Sequence, residues 1–320
     1  MGAQVAGAGA MVADTLGSRM LTLRRDHHEV VLCPDIGGSI AAFRSEIDGR
    51  LLDWLRPAEP AALTPGDPRG TACFPLVPYS NRIRDGRFVF EGREIRLPRN
   101  FGDHPHSIHG HGWQAPWRVA EATSDAAVMV YHHRADAWPF DYDARQHVRL
   151  DRNGLTVTLE LVNRSEGAMP AGLGLHPYFP RTPDTRVVAE VSELWQVDAE
   201  VMPRARVRPA GDSDLNRGVF ADRRTLDNVY TGWNGRVTIE WPERRARLEM
   251  TAFEPRSREP LGFLVLFTPA GADYLCVEPV SHCTDAFNLA AAGATDTGIR
   301  VLAPGETLEA QVNFAPGAIK

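Results

Sequence analysis

The sequence is poor in features that would tie it to a membrane, to nucleic acid or to an oxidising compartment. None of its apolar runs approaches the ~20 residues that a membrane-spanning helix needs. Its net charge is −6, and its arginines are scattered rather than gathered in a basic run, which argues against a nucleic-acid partner. The four cysteines show no CxxC spacing, so we expect free thiols in a reducing cytoplasm. They are Cys33, Cys73, Cys276 and Cys283.

The first residues also lack the pattern of a secretory signal. Residues 1–18 are rich in alanine and glycine, carry Asp14 as their only charge, and have neither a basic start nor a long apolar block. We predict that residues 1–18 form a disordered tail. No internal repeat and no linker follows, so we predict that residues 19–320 form a single domain.

Apolar stripes with a helical period are absent, and short alternating segments take their place. Apolar and polar residues alternate at 155–161, 237–241 and 308–314, which is typical of strands with one buried face. Residues 87–97 and 146–161 each predict a hairpin, with turns at 91–92 and 151–154. Closely spaced strands without helices predict an all-β sandwich or barrel.

A histidine lies in the apolar, glycine-bearing stretch Gly172–Phe179. Pro177 biases His176 toward an extended backbone, so we expect His176 at the end of a strand or on its exit loop, facing a pocket with Tyr178 or Phe179 as a wall. Histidine is the side chain best suited to giving and taking protons near neutral pH. The alternative is a core or turn histidine that bonds to the backbone.

A glutamate follows a continuously apolar strand at residues 274–277. Glu278 comes just before Pro279, which we expect to end the strand. A half-desolvated carboxylate at such a position has the character of a general base. An ordinary ion-paired carboxylate at a strand end is the alternative reading.

Two further segments could bind hydroxyl groups. Asn81 and Arg82 offer an amide and a guanidinium fork in the loop before the first hairpin, although turn chemistry and a surface ion pair would also explain them. Asp227 could accept hydrogen bonds from paired hydroxyls, and an Asx-turn is the alternative there.

Four histidines crowd into eight residues. His104, His106, His109 and His111 could ligate zinc or a similar metal, line a metal-free polar pocket, or belong to a solvated loop. Only Asp103 offers a carboxylate nearby. The glycine at 110 would let the backbone beside His109 approach a ligand closely.

The order of these motifs is more specific than any one of them. Asn81-Arg82-Ile83, His109-Gly110, His176-Pro177-Tyr178-Phe179, Asp227 and Glu278 together resemble the aldose 1-epimerase (galactose mutarotase) family, over residues 20–316. The resemblance implies a large antiparallel β-sandwich, often called a supersandwich. It also implies an isomerase that interconverts the α and β anomers of a free aldose.

The resemblance further implies a role for each matching residue. His176 would be the acid toward the ring oxygen, Glu278 the base toward the anomeric hydroxyl, and His109 a second histidine near the ring oxygen. Asn81, Arg82 and Asp227 would bind sugar hydroxyls. On this reading Glu278 works ionised and His176 protonated, each favouring the charge of the other. No metal or other cofactor is needed, since ring opening involves neither redox chemistry nor a carbanion.

Two departures leave the preferred sugar open. His111 stands where relatives commonly have a second glycine, and Val265 stands where a binding glutamine is common. We therefore expect a monosaccharide substrate without naming it. A hexose-phosphate 1-epimerase, a non-catalytic sugar-binding protein and a cupin-like isomerase that uses a metal at residues 104–111 are the alternatives.

Overall fold

The computed structural model of the protein describes residues 20–319. The predicted disordered tail, residues 1–18, lies outside the described residues. None of the helices within residues 20–319 has the length and apolar character that crossing a membrane requires.

Two large antiparallel sheets dominate the described part of the chain. The first has eleven strands. In spatial order they are β1 (Leu21–Arg25), β2 (His28–Cys33), β3 (Ser39–Ile47), β5 (Cys73–Leu76), β15 (Gly174–Pro180), β24 (Tyr274–Val280), β23 (Phe263–Phe267), β20 (Asp227–Thr231), β17 (Glu193–Val197) and β18 (Pro203–Val207), with β4 (Arg50–Asp53) paired to β3.

The second sheet has nine strands. In spatial order they are β10 (Arg118–Ala122), β11 (Ala126–His133), β12 (Tyr142–Asp151), β13 (Gly154–Asn163), β26 (Thr307–Ala318), β22 (Ala246–Phe253), β21 (Arg236–Trp241), β16 (Arg186–Ala189) and β19 (Val219–Phe220). It contains the predicted hairpin at 146–161 and both of the other alternating segments.

Short elements join the two sheets. Three strand pairs stand apart from them, and a short helix follows β24. The pairs are β6 (Arg82–Ile83) with β9 (Ser107–Ile108), β7 (Arg87–Phe90) with β8 (Arg93–Arg96), and β14 (Met169–Ala171) with β25 (Arg300–Leu302); the helix is α1 (Ala286–Ala291). Within residues 20–319, five 3-10 turns lie at Pro60–Ala62, Pro68–Gly70, Arg84–Gly86, Gly211–Ser213 and Pro242–Arg244.

The core lies between the two sheets, which confirms the predicted β-sandwich. Leu159 of β13 and Leu175 of β15 come from different sheets and belong to one buried apolar cluster. The rings of Trp54 and Trp241 approach to 6.3 Å between centroids, and the Trp241 indole donates to the carbonyl of Pro180 at 2.8 Å. A second, smaller apolar cluster covers the opposite face of the first sheet. The candidate site lies on that opposite face.

Candidate active site

His176 and Glu278 face each other across two neighbouring strands of the first sheet. Strands β15 and β24 are antiparallel, with Tyr178 opposite Cys276. Two residues further along, this register places His176 opposite Glu278, and cross-strand neighbours on one face lie in contact. The Nε2 atom of His176 is 3.3 Å from Oε1 of Glu278, and the two side chains are only 10% and 4% exposed.

Both residues lie within strands, so the expectation that each ends its strand is wrong. β15 continues to Pro180 and β24 to Val280. A proline removes only one backbone donor, and the other ladders continue here: His176 pairs with Phe74, and Glu278 pairs with Val265. The pairing between β15 and β24 is the one that is interrupted between its two ends. His176 and Glu278, which we call the dyad, lie in that interruption.

Burial acts on the protonation of both members of this pair. It raises the pKa of Glu278 well above its usual value, and the nearby carboxylate of Asp227 raises it further. Burial lowers the pKa of His176, and the charges of Arg56 and Arg82 also lower it. The expected mutual support of two charges is therefore outweighed by desolvation. We conclude that the pair favours states that carry one shared proton over states that carry none or two.

His109 is fixed in one tautomer by the neighbouring turn. Its backbone φ is +62°, and that of Asn81 is +57°. The two residues bond reciprocally: His109 N–H donates to the Asn81 carbonyl, and Asn81 N–H donates to Nδ1 of His109, each at 3.0 Å. Because Nδ1 accepts, the hydrogen resides on Nε2. Burial holds the pKa of His109 well below its usual value, with His176 and Arg82 adding to the effect, so the ring is neutral.

Arg82 and Asp227 form a half-buried ion pair beside the dyad. Nη2 of Arg82 lies 3.1 Å from Oδ2 of Asp227, and its Nη1 donates to the side-chain oxygen of Asn81 at 3.2 Å. The side chains of Arg82 and Asp227 are 12% and 25% exposed. The Nε atom of Arg82 is buried without a hydrogen-bond partner among residues 20–319. Buried donors without a partner are uncommon, and a role in catalysis or binding is one explanation for them.

All six predicted site residues line one cavity of about 530 Å³. Asn81, Arg82, His109, His176, Asp227 and Glu278 are its polar lining together with Asp67 and Arg69, and its aromatic walls include Phe74, Phe101, Trp113, Tyr178 and Tyr274. One oxygen of Glu278, Oε2, is buried with no hydrogen-bond partner in the described residues. A concave pocket with convergent polar groups and perturbed pKa values is the usual form of a catalytic site.

The aromatic walls were only partly predicted. Of the two wall candidates, Tyr178 lines the cavity, whereas Phe179 points to the opposite face and is fully buried in the main core. Phe74 stacks on His176 with ring centroids 4.6 Å apart and was missed. Its position opposite His176 in the sheet identifies it, but that register is not visible in the sequence. Asp67 and Arg69 were missed because their segment reads as a plain loop.

The other three histidines of the 104–111 segment bond to or stack on residues that are not part of the dyad. His104 accepts from the backbone of His106 at 3.3 Å, and His106 accepts from the backbone of Asp85 at 3.0 Å. His111 stacks on His133 at 4.8 Å between centroids. Among residues 20–319, no three His, Cys, Asp or Glu side chains are grouped so that they could hold a metal ion. Only His109 of the four lines the cavity.

Val265 and His111, the two residues that depart from the family pattern, differ in how directly they contact the dyad. Val265 of β23 pairs directly with Glu278, so an apolar side chain is the cross-strand neighbour of the carboxylate. His111 lies one residue past Gly110, where its backbone N–H donates to the carbonyl of Val77 at 3.0 Å. The Val265 position therefore bears on the cavity chemistry more directly than the His111 position does.

Comparison with known proteins identifies the family and agrees with this fold. A family model described as aldose 1-epimerase matches residues 19–315. The chain therefore belongs to the aldose 1-epimerase family. It is 32% identical over 287 residues to the uncharacterised protein YphB of Escherichia coli K12, covering 87% of this chain and 96% of that protein.

Solved structures show the same fold. A galactose mutarotase-like protein from Clostridium acetobutylicum superposes with a TM-score of 0.84 at 19% identity, covering 97% of this chain and 98% of that one. A galactose 1-epimerase from Lactobacillus acidophilus superposes with a TM-score of 0.73 at 18% identity, with coverages of 97% and 98%. At these identities the likeness concerns the fold.

Proposed function

We propose that the protein is an aldose 1-epimerase that interconverts the α and β anomers of a free aldose, with His176 and Glu278 as its acid and base. The observation that carries the proposal is the buried pair itself. Nε2 of His176 and Oε1 of Glu278 lie 3.3 Å apart in the lining of a cavity of about 530 Å³, and Oε2 of Glu278 has no hydrogen-bond partner within the described residues.

The geometry suits the two oxygens that must exchange protons. The ring oxygen and the anomeric hydroxyl are both bonded to C1, so an acid and a base that serve them must themselves be adjacent. Glu278 would take the proton of the anomeric hydroxyl while His176 gives a proton to the ring oxygen, which opens the ring to the aldehyde. Rotation about C1–C2 and closure on the other face, with the roles reversed, yield the other anomer.

A pair that holds one proton can perform this exchange without changing its total charge. The proton that Glu278 gains replaces the proton that His176 gives, so the buried site never carries a net unpaired charge through the step. Each such group typically contributes about 10²–10⁴-fold to the rate. The Nε2–H of His109 would donate toward the ring oxygen, and its ring stands edge-on to His176 with centroids 5.3 Å apart.

The charges of the cavity favour a neutral sugar over a sugar phosphate. Two guanidinium groups line it, and each already has a carboxylate: Arg82 pairs with Asp227, and Arg69 pairs with Asp67. A phosphate site would need cations that are free to neutralise it. We therefore propose that the substrate is a free aldose whose hydroxyls bind to Asn81, Arg82 and Asp227. A hexose-phosphate 1-epimerase is the second candidate function.

We also propose that the protein acts in the cytoplasm. All four cysteines are unpaired and buried, which supports a reducing compartment.

Two-dimensional exchange NMR tests the proposal directly, because it measures the interconversion of α and β anomers at equilibrium. The wild type should accelerate exchange for at least one sugar in a panel of free aldoses, and act less on the matching aldose 6-phosphates. Glu278→Gln and His176→Asn should each slow exchange by about 10²–10⁴-fold. Glu249→Gln, on β22 of the other sheet, is the matched control and should leave the rate unchanged.

Two results would contradict the proposal. Near-normal exchange in both site variants would remove the acid–base assignment. Sugar binding without acceleration of any aldose or aldose phosphate would make the protein a sugar-binding module instead.

A further inference from the structure

Arg56 is a partly buried arginine that packs against two walls of the cavity. Its guanidinium carbon lies 4.1 Å from the ring centroid of Tyr178 and 4.6 Å from that of Tyr274. Both rings line the cavity, and Arg56 is not among the described residues that do so. A guanidinium over an aromatic face is attracted by the electrons of the ring. Arg56 therefore supports these two walls without facing the space that they enclose.

The guanidinium of Arg56 is itself fixed by the backbone. Its Nη2 donates to the carbonyl of Arg69 at 2.7 Å and to the carbonyl of Thr71 at 2.8 Å. The backbone N–H of Arg56 donates to the carbonyl of Tyr178 at 2.8 Å. Hydrogen bonds from a charged donor are among the stronger ones in proteins. These bonds hold the side chain in one orientation against the two rings.

Tyr178 and Tyr274 belong to the two strands that carry the dyad. Tyr178 is in β15 with His176, and Tyr274 is in β24 with Glu278. The pairing of these two strands is interrupted at the dyad and resumes where Tyr178 lies opposite Cys276. One guanidinium that lies over a ring from each strand therefore holds the two strands together next to the interruption.

The ring of Tyr178 also limits how the His176 ring can turn. The two rings stack with centroids 4.8 Å apart and planes 24° apart, and Phe74 stacks on His176 in a similar way at 4.6 Å. The His176 ring cannot rotate without losing both contacts. The stack therefore keeps Nε2 of His176 directed at Oε1 of Glu278, 3.3 Å away.

The charge of Arg56 is not cancelled by a carboxylate. Within residues 20–319 no carboxylate lies within ion-pair distance of it, whereas both guanidinium groups that line the cavity have one. The two contacts of Tyr178, at 4.1 Å and 4.8 Å, place the guanidinium carbon within about 9 Å of the His176 ring, where a charge still acts on a desolvated group. Arg56 accordingly adds to burial in lowering the pKa of His176.

Other ionisable groups also face His176, and a change at Arg56 leaves them in place. Burial raises the pKa of the Tyr178 hydroxyl and of the Cys73 thiol and lowers that of His109, so these three stay neutral near pH 7. The charged or coupled groups are Glu278 at 3.3 Å and Arg82. Arg82 acts on both members of the dyad, so its effect on the pH profile differs from that of Arg56.

We propose that Arg56 is a positioning residue for the dyad: it holds Tyr178 of β15 and Tyr274 of β24 in place, and through Tyr178 it fixes the orientation of the His176 ring. This rests on the proposed epimerase function. Because Arg56 does not line the cavity, its loss should impair turnover and leave sugar binding nearly intact.

Exchange NMR on Arg56→Gln and Arg56→Lys tests this role. In Arg56→Gln, kcat should fall at least about tenfold while KM stays within about twofold of the wild type. The acidic limb of the rate–pH profile should move up by about half a pH unit or more, and further than the basic limb, because Arg56 acts on the pKa of His176. Arg56→Lys keeps the charge, so its acidic limb should stay in place and its kcat should fall less.

Arg258→Gln is the matched control. The Arg258 guanidinium also lies 4.1 Å from an aromatic centroid, that of Phe253 in β22 of the other sheet. This variant should leave kcat and both limbs of the pH profile unchanged.

An NMR titration of the His176 imidazole measures the effect of Arg56 without turnover. The resonance is assigned by its absence in His176→Asn, and in Arg56→Gln it should titrate at higher pH than in the wild type. An unchanged kcat, a loss that lies in KM, or an acidic limb that does not move would overturn the proposal. If no sugar is epimerised, the proposed function fails, and the imidazole titration still decides whether Arg56 acts on His176.

Discussion

Replacing Arg82 by methionine would remove the guanidinium but keep its aliphatic stem, and the structure predicts two separate effects. The first is on binding. The Arg82 side chain is only 12% exposed. In the proposed function it donates to sugar hydroxyls, and a hydrogen bond to a charged group is worth about 1.5–3 kcal/mol. The loss corresponds to about a 10- to 150-fold fall in kcat/KM. Because hydroxyl contacts serve substrate and transition state alike, it should appear mainly in KM.

The second effect is on the pH dependence. Arg82 lowers the pKa of both Glu278 and His176, while Asp227 raises that of Glu278. Without Arg82 both pKa values rise, so both limbs of the rate–pH profile should move to higher pH. Anomer exchange NMR from pH 4 to pH 9 or so, with KM and kcat separated by varying the sugar concentration, measures both effects.

Arg82→Lys is the matched control. It keeps the positive charge but loses the planar fork, so KM should still rise while the pH limbs stay near those of the wild type. The reasoning is refuted if the limbs of the Arg82→Met profile do not move, or if its loss lies wholly in kcat.

The wild-type rate should follow a bell-shaped pH profile. It should fall at low pH as the pair gains a second proton, at a pKa that burial holds below the usual histidine value, and at high pH as the pair loses its one proton, at a pKa that burial holds above the usual glutamate value. A profile with a single limb would contradict the one-proton state of Glu278 and His176. Gly110→Ala places a Cβ 2.2 Å from the Val77 carbonyl at a φ of +71°, so the free energy of unfolding should fall by about 1–3 kcal/mol in urea titrations, and an unchanged midpoint would show that the turn relaxes. Leu159→Ala, in the core between the sheets, should lower the free energy of unfolding by about 2–5 kcal/mol in the same titration. It should leave the KM for sugar unchanged. A raised KM would show that the core and the site are not independent.

The strands were predictable because burial of one face imposes a period of two on the sequence. The alternating segment 155–161 lies in β13, and 308–314 lies in β26, each with its apolar residues in the core. The strand ends at Pro177 and Pro279 were wrong for a physical reason. Each proline withholds one donor, but the ladders on the other sides of β15 and β24 hold both strands together.

The candidate site was predictable for six of its polar residues, but not for Asp67, Arg69 or most of its aromatic walls. Motif order identified six of the polar residues that line the cavity, because their chemistry is visible in their side chains. Phe74 was not identifiable, since its place beside His176 depends on strand register, and Arg69 was not, since its place in the cavity lining depends on how its loop folds. The protonation states of His176 and Glu278 were also not predictable from the sequence, because they depend on burial rather than on residue type.

The double variant His176→Asn with Glu278→Gln tests the central claim most directly, when its rate of anomer exchange is compared with that of each single variant. If the two residues act as one acid–base pair, the double variant should be about as slow as the slower single variant, because either loss already abolishes the concerted proton exchange. Losses that multiply, each single variant contributing its own independent factor, would contradict the account.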